Sequence, residues 1–339
     1  MRISIFLISI IVVLIACQEQ SVMEDQAYKY RTPSFFPKPT IPEDNQATTA
    51  RVELGRRLFF EKKLSRTESM SCATCHVPSM AFTDGKARST GAHGKLGKRN
   101  APTLANLLWM PYFMAEGGAP TLELQALAPL QDSIEMDMSM RDAIHRLEKT
   151  EKYQTLSQVA YQRPIDSYVI IRALAAYQRT FISVDSRFDR WYYQKDAKAF
   201  TAEEELGKKI FFSEKAACMK CHSIPQFTDY QFYNIGLYEN YADAGKELVT
   251  YKKSDNGKFK TPTLRNIELT PPYMHDGSMR TLEEVIEFYN TGGKNHPNKD
   301  FRIQPMNWTQ EEKGHLLAFL KTLTDWNFVQ NHTFLPLEQ

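Results

Sequence analysis

The sequence predicts a mainly α fold laid out as two related domains in tandem, with long loops between the helices. Three observations carry that reading. Short segments recur: Leu54-Gly55-Arg56-Arg57-Leu58-Phe59-Phe60 returns as Leu206-Gly207-Lys208-Lys209-Ile210-Phe211-Phe212, and Pro102-Thr103-Leu104 with Asn106 returns as Pro262-Thr263-Leu264 with Asn266. That second pair shares an offset of 160 residues with Gly117, Thr121-Leu122-Glu123 against Gly277, Thr281-Leu282-Glu283, which points to a duplication. Apolar residues also recur at helical spacing, and strand-like alternation is confined to short pieces. A chain of 339 residues with 42% apolar side chains is long enough for two domain cores. Its 42 basic and 40 acidic residues leave a formal charge of +2, which provides no electrostatic footprint for nucleic acid.

Taken in order, the chain opens with Met1-Arg2 and an apolar run over residues 3 to 16, too short to span a bilayer as a mature helix. This reads as an export signal over residues 1–17. Its end, Leu14-Ile15-Ala16-Cys17, resembles the lipobox of bacterial lipoproteins, in which the cysteine is acylated. The expectation is a periplasmic protein held to the cell envelope by lipid on Cys17 alone; the alternative is a plain signal peptide with a chance cysteine. Residues 18–48, punctuated by Pro33, Pro37, Pro39 and Pro42, suit an extended tether.

Two domains follow, over 49–195 and 196–339. In the first, Val169, Ile170, Ala173, Leu174, Tyr177 and Phe181 place a helix within 166–182. In the second, Thr309 with Glu312 forms a capping box ahead of Leu316, Leu317, Phe319, Leu320 and Leu323 on one helical face. Loops rich in Gly and Pro occupy 83–102 and 240–262, where they can wall a cofactor or simply connect elements.

The five cysteines are all accounted for by their neighbours. Cys17 ends the export signal, while Cys72 and Cys75 precede His76 and Cys218 and Cys221 precede His222, so both pairs read C-x-x-C-H. Disulfides in an exported protein would not explain a histidine after each pair. Zinc ribbons place their cysteine pairs much closer than the 146 positions that separate these. The remaining reading is covalent attachment of c-type haem, with two thioethers fixing each porphyrin and His76 and His222 as proximal iron ligands.

The two haem motifs, the paired Pro-Thr-Leu-x-x-Asn elements, Pro272-Tyr273-Met274-His275-Asp276-Gly277, and Gln125 with Glu135 together resemble the bacterial di-haem cytochrome c peroxidase and MauG superfamily over residues 50 to 325. The resemblance implies two tandem cytochrome c-like haem domains, an N-terminal peroxidatic one and a C-terminal electron-transfer one, with two covalently bound haem c groups. In that family a Gln and a Glu ten residues apart sit over the peroxide-binding haem, and Gln125 and Glu135 have that spacing. One carboxyl can take a proton from peroxide and return it to the departing oxygen, so Glu135 becomes the general acid-base, with a surface helix residue as the bland alternative.

The resemblance further implies a distal ligand on the C-terminal haem at Tyr289, where ordinary peroxidases have Met and MauG-type proteins have Tyr. Met274, Met306 and His275 are rival ligands. His93 lies near the family's displaceable distal His, but the loop differs by one residue and a surface histidine fits as well. An inter-haem calcium ion maps to Asn100, Thr270 and Pro272, all of which also suit turns. Two departures stand out: Ala115 occupies the place of a Trp between the haems, leaving Trp109 or a direct route, and Ala216 replaces a Trp before the second motif.

The implied function is reduction of hydrogen peroxide to water with electrons from a small c-type cytochrome or similar donor. A MauG-like oxidase acting on a protein or small molecule is the second reading, and a purely electron-transferring di-haem cytochrome is the non-enzymatic one. Family members are often homodimers, so the resemblance allows that state.

Overall fold

A computed structural model describes residues 25–337 of the chain. The expected export signal over residues 1–17, with the expected acylation site Cys17, and the start of the expected tether lie outside the described residues. From residue 25 onward that tether packs on the body instead of hanging free. The Tyr28 N–H donates to Ala47 O over 3.0 Å, and Asn45, fully buried, donates to Glu123 Oε1 at 2.7 Å and to Arg172 O at 3.0 Å. Phe35 stacks on Tyr193 with centroids 3.9 Å apart. The prolines make this segment extended, and its aromatic and amide side chains supply the reason it docks.

Helices in chain order are α1 (Thr49–Phe59), α2 (Cys72–Cys75), α3 (Leu122–Gln125), α4 (Leu127–Gln131), α5 (Met140–Leu147), α6 (Glu151–Tyr161), α7 (Ser167–Gln178), α8 (Arg187–Tyr192), α9 (Ala202–Phe211), α10 (Glu247–Thr250), α11 (Leu282–Thr291), α12 (Gln310–Lys321) and α13 (Trp326–Val329). The one sheet among the described residues pairs β1 (Phe232–Tyr233) with β2 (Phe259–Lys260) antiparallel. The Thr309–Glu312 capping box forms as expected and starts α12. Asp166 caps α7 by accepting the Val169 N–H, and that helix ends before Phe181. The expected loop over 240–262 holds α10 and β2, so it is more structured than its composition suggests.

Sequence repetition becomes repeated packing. In each half the helix before the haem motif crosses a late helix at a glycine: a Cβ on Gly55 would lie 1.9 Å from Ala173 O on α7, and one on Gly207 would lie 1.8 Å from His315 O on α12. Only glycine permits so close an approach. One buried cluster gathers Leu54, Leu58, Phe59, Phe82, Tyr177 and Phe181, together with Phe328 and Phe334 from the end of the chain. The other gathers Phe188, Phe211, Phe227, Trp308 and Phe319. The C-terminal segment therefore fills the first core, while α8 belongs to the second.

The repeated asparagines also acquire a role. Asn106 and Asn266 both adopt left-handed backbone, φ 61° and 60°. Asn106 accepts the Ser183 N–H at 2.8 Å and donates to Ser183 O at 2.9 Å, while Asn266 donates to Ser183 Oγ at 2.9 Å and accepts the Asp325 N–H at 2.8 Å. Both repeats thus grip the same connecting strand of chain.

Candidate functional site

Each C-x-x-C-H motif forms a single tight turn. The His76 N–H donates to Cys72 O at 3.0 Å, and the His222 N–H donates to Cys218 O at 2.8 Å. In both, the imidazole Nδ1 faces a backbone carbonyl in the loop that follows, Phe82 O at 2.8 Å for His76 and Phe227 O at 2.9 Å for His222. Phe82 and Phe227 sit at φ 63° and 54°, backbone turns that aim those carbonyls inward. With Nδ1 donating, the tautomer is set and Nε2 presents its lone pair, as an iron ligand requires. Burial pushes both imidazoles below their ordinary pKa, toward the neutral ligating form.

All four thiols are free and none is joined in a disulfide. Burial pushes the Cys72 and Cys218 thiols up to about 12 and the Cys221 thiol up to about 11. A cavity of about 370 Å³ opens beside the second motif, lined by Cys218, Cys221, His222, Met274, Tyr289 and Met306 among others. Paired thiols, an oriented imidazole and a mostly apolar cavity fit a covalently held haem, which supplies iron for peroxide chemistry and electron transfer.

Tyr289 reaches the cavity because α11 begins at the Thr281 cap and presents Leu282, Val285, Ile286 and Tyr289 to the same space, at helical spacing. Burial, then the neighbouring Cys221 and Cys218, push its phenol well above the ordinary tyrosine pKa. The rivals Met274, His275 and Met306 line this cavity too. His275 is tied into an aromatic stack on Phe259, with centroids 4.0 Å apart and planes at 18°.

Around the first motif, Glu135 follows α4 and stands close enough to Cys72 and Cys75 to raise both thiols. It borders open space, yet surrounding protein and then the Asp132 carboxylate raise its own pKa above the usual glutamate value. Its backbone is held from two sides, by the Ala92 N–H to Glu135 O at 2.7 Å and by its own N–H to Asp132 O at 3.0 Å. Gln125 ends α3, which Thr121 caps, and its Nε2 lies 4.0 Å from Met114 Sδ. His93 is partly exposed and its Nε2 meets Asp137 Oδ2 at 2.8 Å, a contact that it must release to ligate iron.

Asn100 and Pro272 meet across the two halves, with Asn100 Nδ2 donating to Pro272 O at 2.7 Å. The Thr270 hydroxyl donates to Ile267 O at 3.3 Å. No group of three or more His, Cys, Asp or Glu side chains among the described residues is arranged to hold a metal ion, so a cation here would rely on amide and carbonyl oxygens. Trp109 is engaged elsewhere, donating its indole N–H to Pro37 O at 2.7 Å. Ala115 and Ala216 both line the cavity.

Sequence reasoning missed the two phenylalanine carbonyls and Lys260. Carbonyls carry no side-chain signature, and the repeat aligns Lys260 with Asn100, which hides the lysine as an unmatched residue. Lys260 lies on the cavity wall, its N–H donating to Ala115 O at 2.8 Å.

Residues 49–198 match the family model described as di-haem cytochrome c peroxidase. The chain is 38% identical to "Methylamine utilization protein MauG" of Methylorubrum extorquens, over 87% of this chain and 83% of that protein. It is 33% identical to "Cytochrome c551 peroxidase" of Nitrosomonas europaea, over 80% of this chain and 79% of the relative. Among solved structures, a MauG-like protein associated with microbial copper homeostasis superposes with a TM-score of 0.85 at 36% identity, covering 91% of this chain and 99% of that one. The diheme peroxidase BthA of Burkholderia thailandensis shares the fold, with a TM-score of 0.72 at 23% identity. The chain belongs to the di-haem cytochrome c peroxidase and MauG family, and that membership implies two c-type haems.

Proposed function

We propose that this protein is an envelope peroxidase that reduces hydrogen peroxide to water with electrons from a small cytochrome or similar donor. The observation that carries the reading is Glu135, a carboxyl with a raised pKa held by its backbone beside Cys72 and Cys75. Such a carboxyl takes the proton from one peroxide oxygen and returns it to the other as the O–O bond breaks. Gln125 would orient the peroxide through its amide. His76, its Nδ1 engaged by Phe82 O, would hold one iron, while His222 and Tyr289 would hold the other, where electrons enter.

Asn100, Thr270 and Pro272 would take a calcium ion at the junction of the halves. Export and acylation of Cys17 would place the enzyme on the periplasmic side of a membrane, a placement that requires no spanning segment. Among the described residues no helix is long and apolar enough to cross one.

Peroxide-dependent oxidation of reduced cytochrome c by the purified haem protein tests this reading. Turnover lost on Glu135→Gln with haem content intact is the expected result, and inertness of the unaltered protein overturns it. Tyr289 favours a second reading, a MauG-like oxidase of a protein or small molecule. A phenolate is a harder donor than a thioether and lowers the potential of the iron it binds. Slow cytochrome turnover beside peroxide-dependent oxidation of another substrate would select it.

A further inference from the structure

Among the described residues, Lys260 is the one cationic side chain on the cavity wall that forms no ion pair with a carboxylate, whereas Arg302 on the same wall is bonded to Asp300. Its ammonium donates to Tyr112 O at 2.7 Å and to Met110 Sδ at 3.0 Å. Both acceptors are neutral, and a thioether is a weak one. Glu116, whose charge acts on Lys260, is bonded to Arg99, which also forms a two-pronged pair with Asp243 at 2.7 and 3.0 Å. Lys246, just before α10, lies 3.8 Å over the ring of Phe232 on the strand paired with Lys260 and adds only more positive charge.

A third donor therefore remains without a protein acceptor, and Glu116, already engaged by Arg99, offsets the positive charge only in part beside a cavity lined mainly by apolar atoms. Lys260 is half-buried; withdrawing an ammonium from water without a dedicated counter-ion is costly, and desolvation lowers its pKa to about 8. That cost calls for an anion. The position is also informative: Lys260 follows Phe259, which stacks on His275, and stands two residues before Pro262, which borders His222. Its main chain is bonded to Ala115 from the other half, where the small side chain leaves space.

We infer that Lys260 pairs with a carboxylate carried by the covalently bound cofactor of this cavity, and that its charge sets that cofactor's reduction potential. This rests on the proposed haem assignment but not on peroxide turnover. Lys260 is a positioning and electrostatic residue; a fixed cation beside a redox centre favours the reduced state, so losing it lowers the potential. Pairing with an anion raises the lysine pKa, so the window in which the charge is lost opens at or above pH 8, with the potential falling as pH rises through it. His275 on the same wall is displaced by burial to lower pH, and Tyr289 to higher pH, so neither titrates in that window.

The experiment is spectroelectrochemical titration of the full haem-loaded chain on both sides of pH 8, comparing the unaltered protein with Lys260→Met and Lys260→Arg. One midpoint potential should fall above pH 8 in the unaltered protein and be lower and flat in Lys260→Met. Lys260→Arg should keep the higher value without the fall. Because Arg retains bulk and charge, it carries the test alone if the Met variant fails to load haem. Identical potentials and pH slopes in all three overturn the inference. So does a potential that shifts with added acetate in the unaltered protein only, since the amine would then be taking a diffusible anion. Loss of peroxide turnover with these shifts intact would count against the proposed function alone.

Discussion

The backbone N–H of Ala92 donates to the carbonyl oxygen of Glu135 over 2.7 Å, so the loop after the first haem motif grips the peptide that carries the proposed acid-base. Gly91 makes the approach possible: a Cβ there would lie 1.7 Å from Ile134 O. Glu135→Gln should cut peroxide turnover by about 10²- to 10⁴-fold while leaving the haem spectrum unchanged. Gly91→Ala should also slow turnover, because the loop or the Glu135 peptide must shift, and steady-state assays with haem quantified per chain read both.

The pH profile of the same reaction follows from the raised Glu135 pKa. A carboxyl that remains protonated above its ordinary range is not yet a base there, so turnover should rise with pH through a value above the usual glutamate pKa. That acidic limb should disappear in Glu135→Gln. A limb unchanged in the variant would assign it to another group.

Tyr289→Phe removes the phenol oxygen from the cavity while keeping the ring that α11 packs there. Electron paramagnetic resonance of the oxidised protein should show a changed ligand set on one haem and an unaltered signal from the other. Identical spectra would pass the role to Met274, Met306 or His275.

Stability should respond oppositely at two glycines near one interface. Gly207→Ala drives a methyl group against His315 O, whereas a Cβ on Gly314 of α12 meets nothing within 4 Å. Overpacking at Gly207 should cost about 1–3 kcal/mol or more. Gly314→Ala should stabilise by about 0.5–1 kcal/mol, since alanine is the better residue inside a helix. Denaturant titration separates the two signs.

Buried Glu123 provides a pH test of folding. Burial alone would push its carboxyl up, but two bonds from Arg179, at 2.6 and 3.0 Å, and one from Asn45 outweigh that and hold it below the usual value. A depressed carboxylate contributes stability above its unfolded pKa and loses it as pH falls through the folded one. Glu123→Ala should therefore destabilise by about 3–5 kcal/mol at neutral pH, by leaving Arg179 buried and unpaired, with a smaller difference in acid.

Much of this protein was legible before folding was considered. The two C-x-x-C-H motifs are local: covalent attachment needs cysteines and histidine within one turn, and the structure forms that turn twice. The α12 capping box and the apolar faces of α7 and α12 are likewise set by residues a few positions apart, and the recurring Leu-Gly segments announced a duplication, although the crossings at Gly55 and Gly207 emerge only on folding. The tertiary structure alone decided what lies far apart in sequence. It turned the Phe82 and Phe227 carbonyls onto the imidazoles, set Ala92 against Glu135, sent Phe328 and Phe334 into the first core, docked residues 25–48, and left Lys260 without a carboxylate partner in the cavity. Backbone carbonyls and unpaired charges have no periodicity or spacing to betray them, because each acquires meaning only from the neighbours that folding brings.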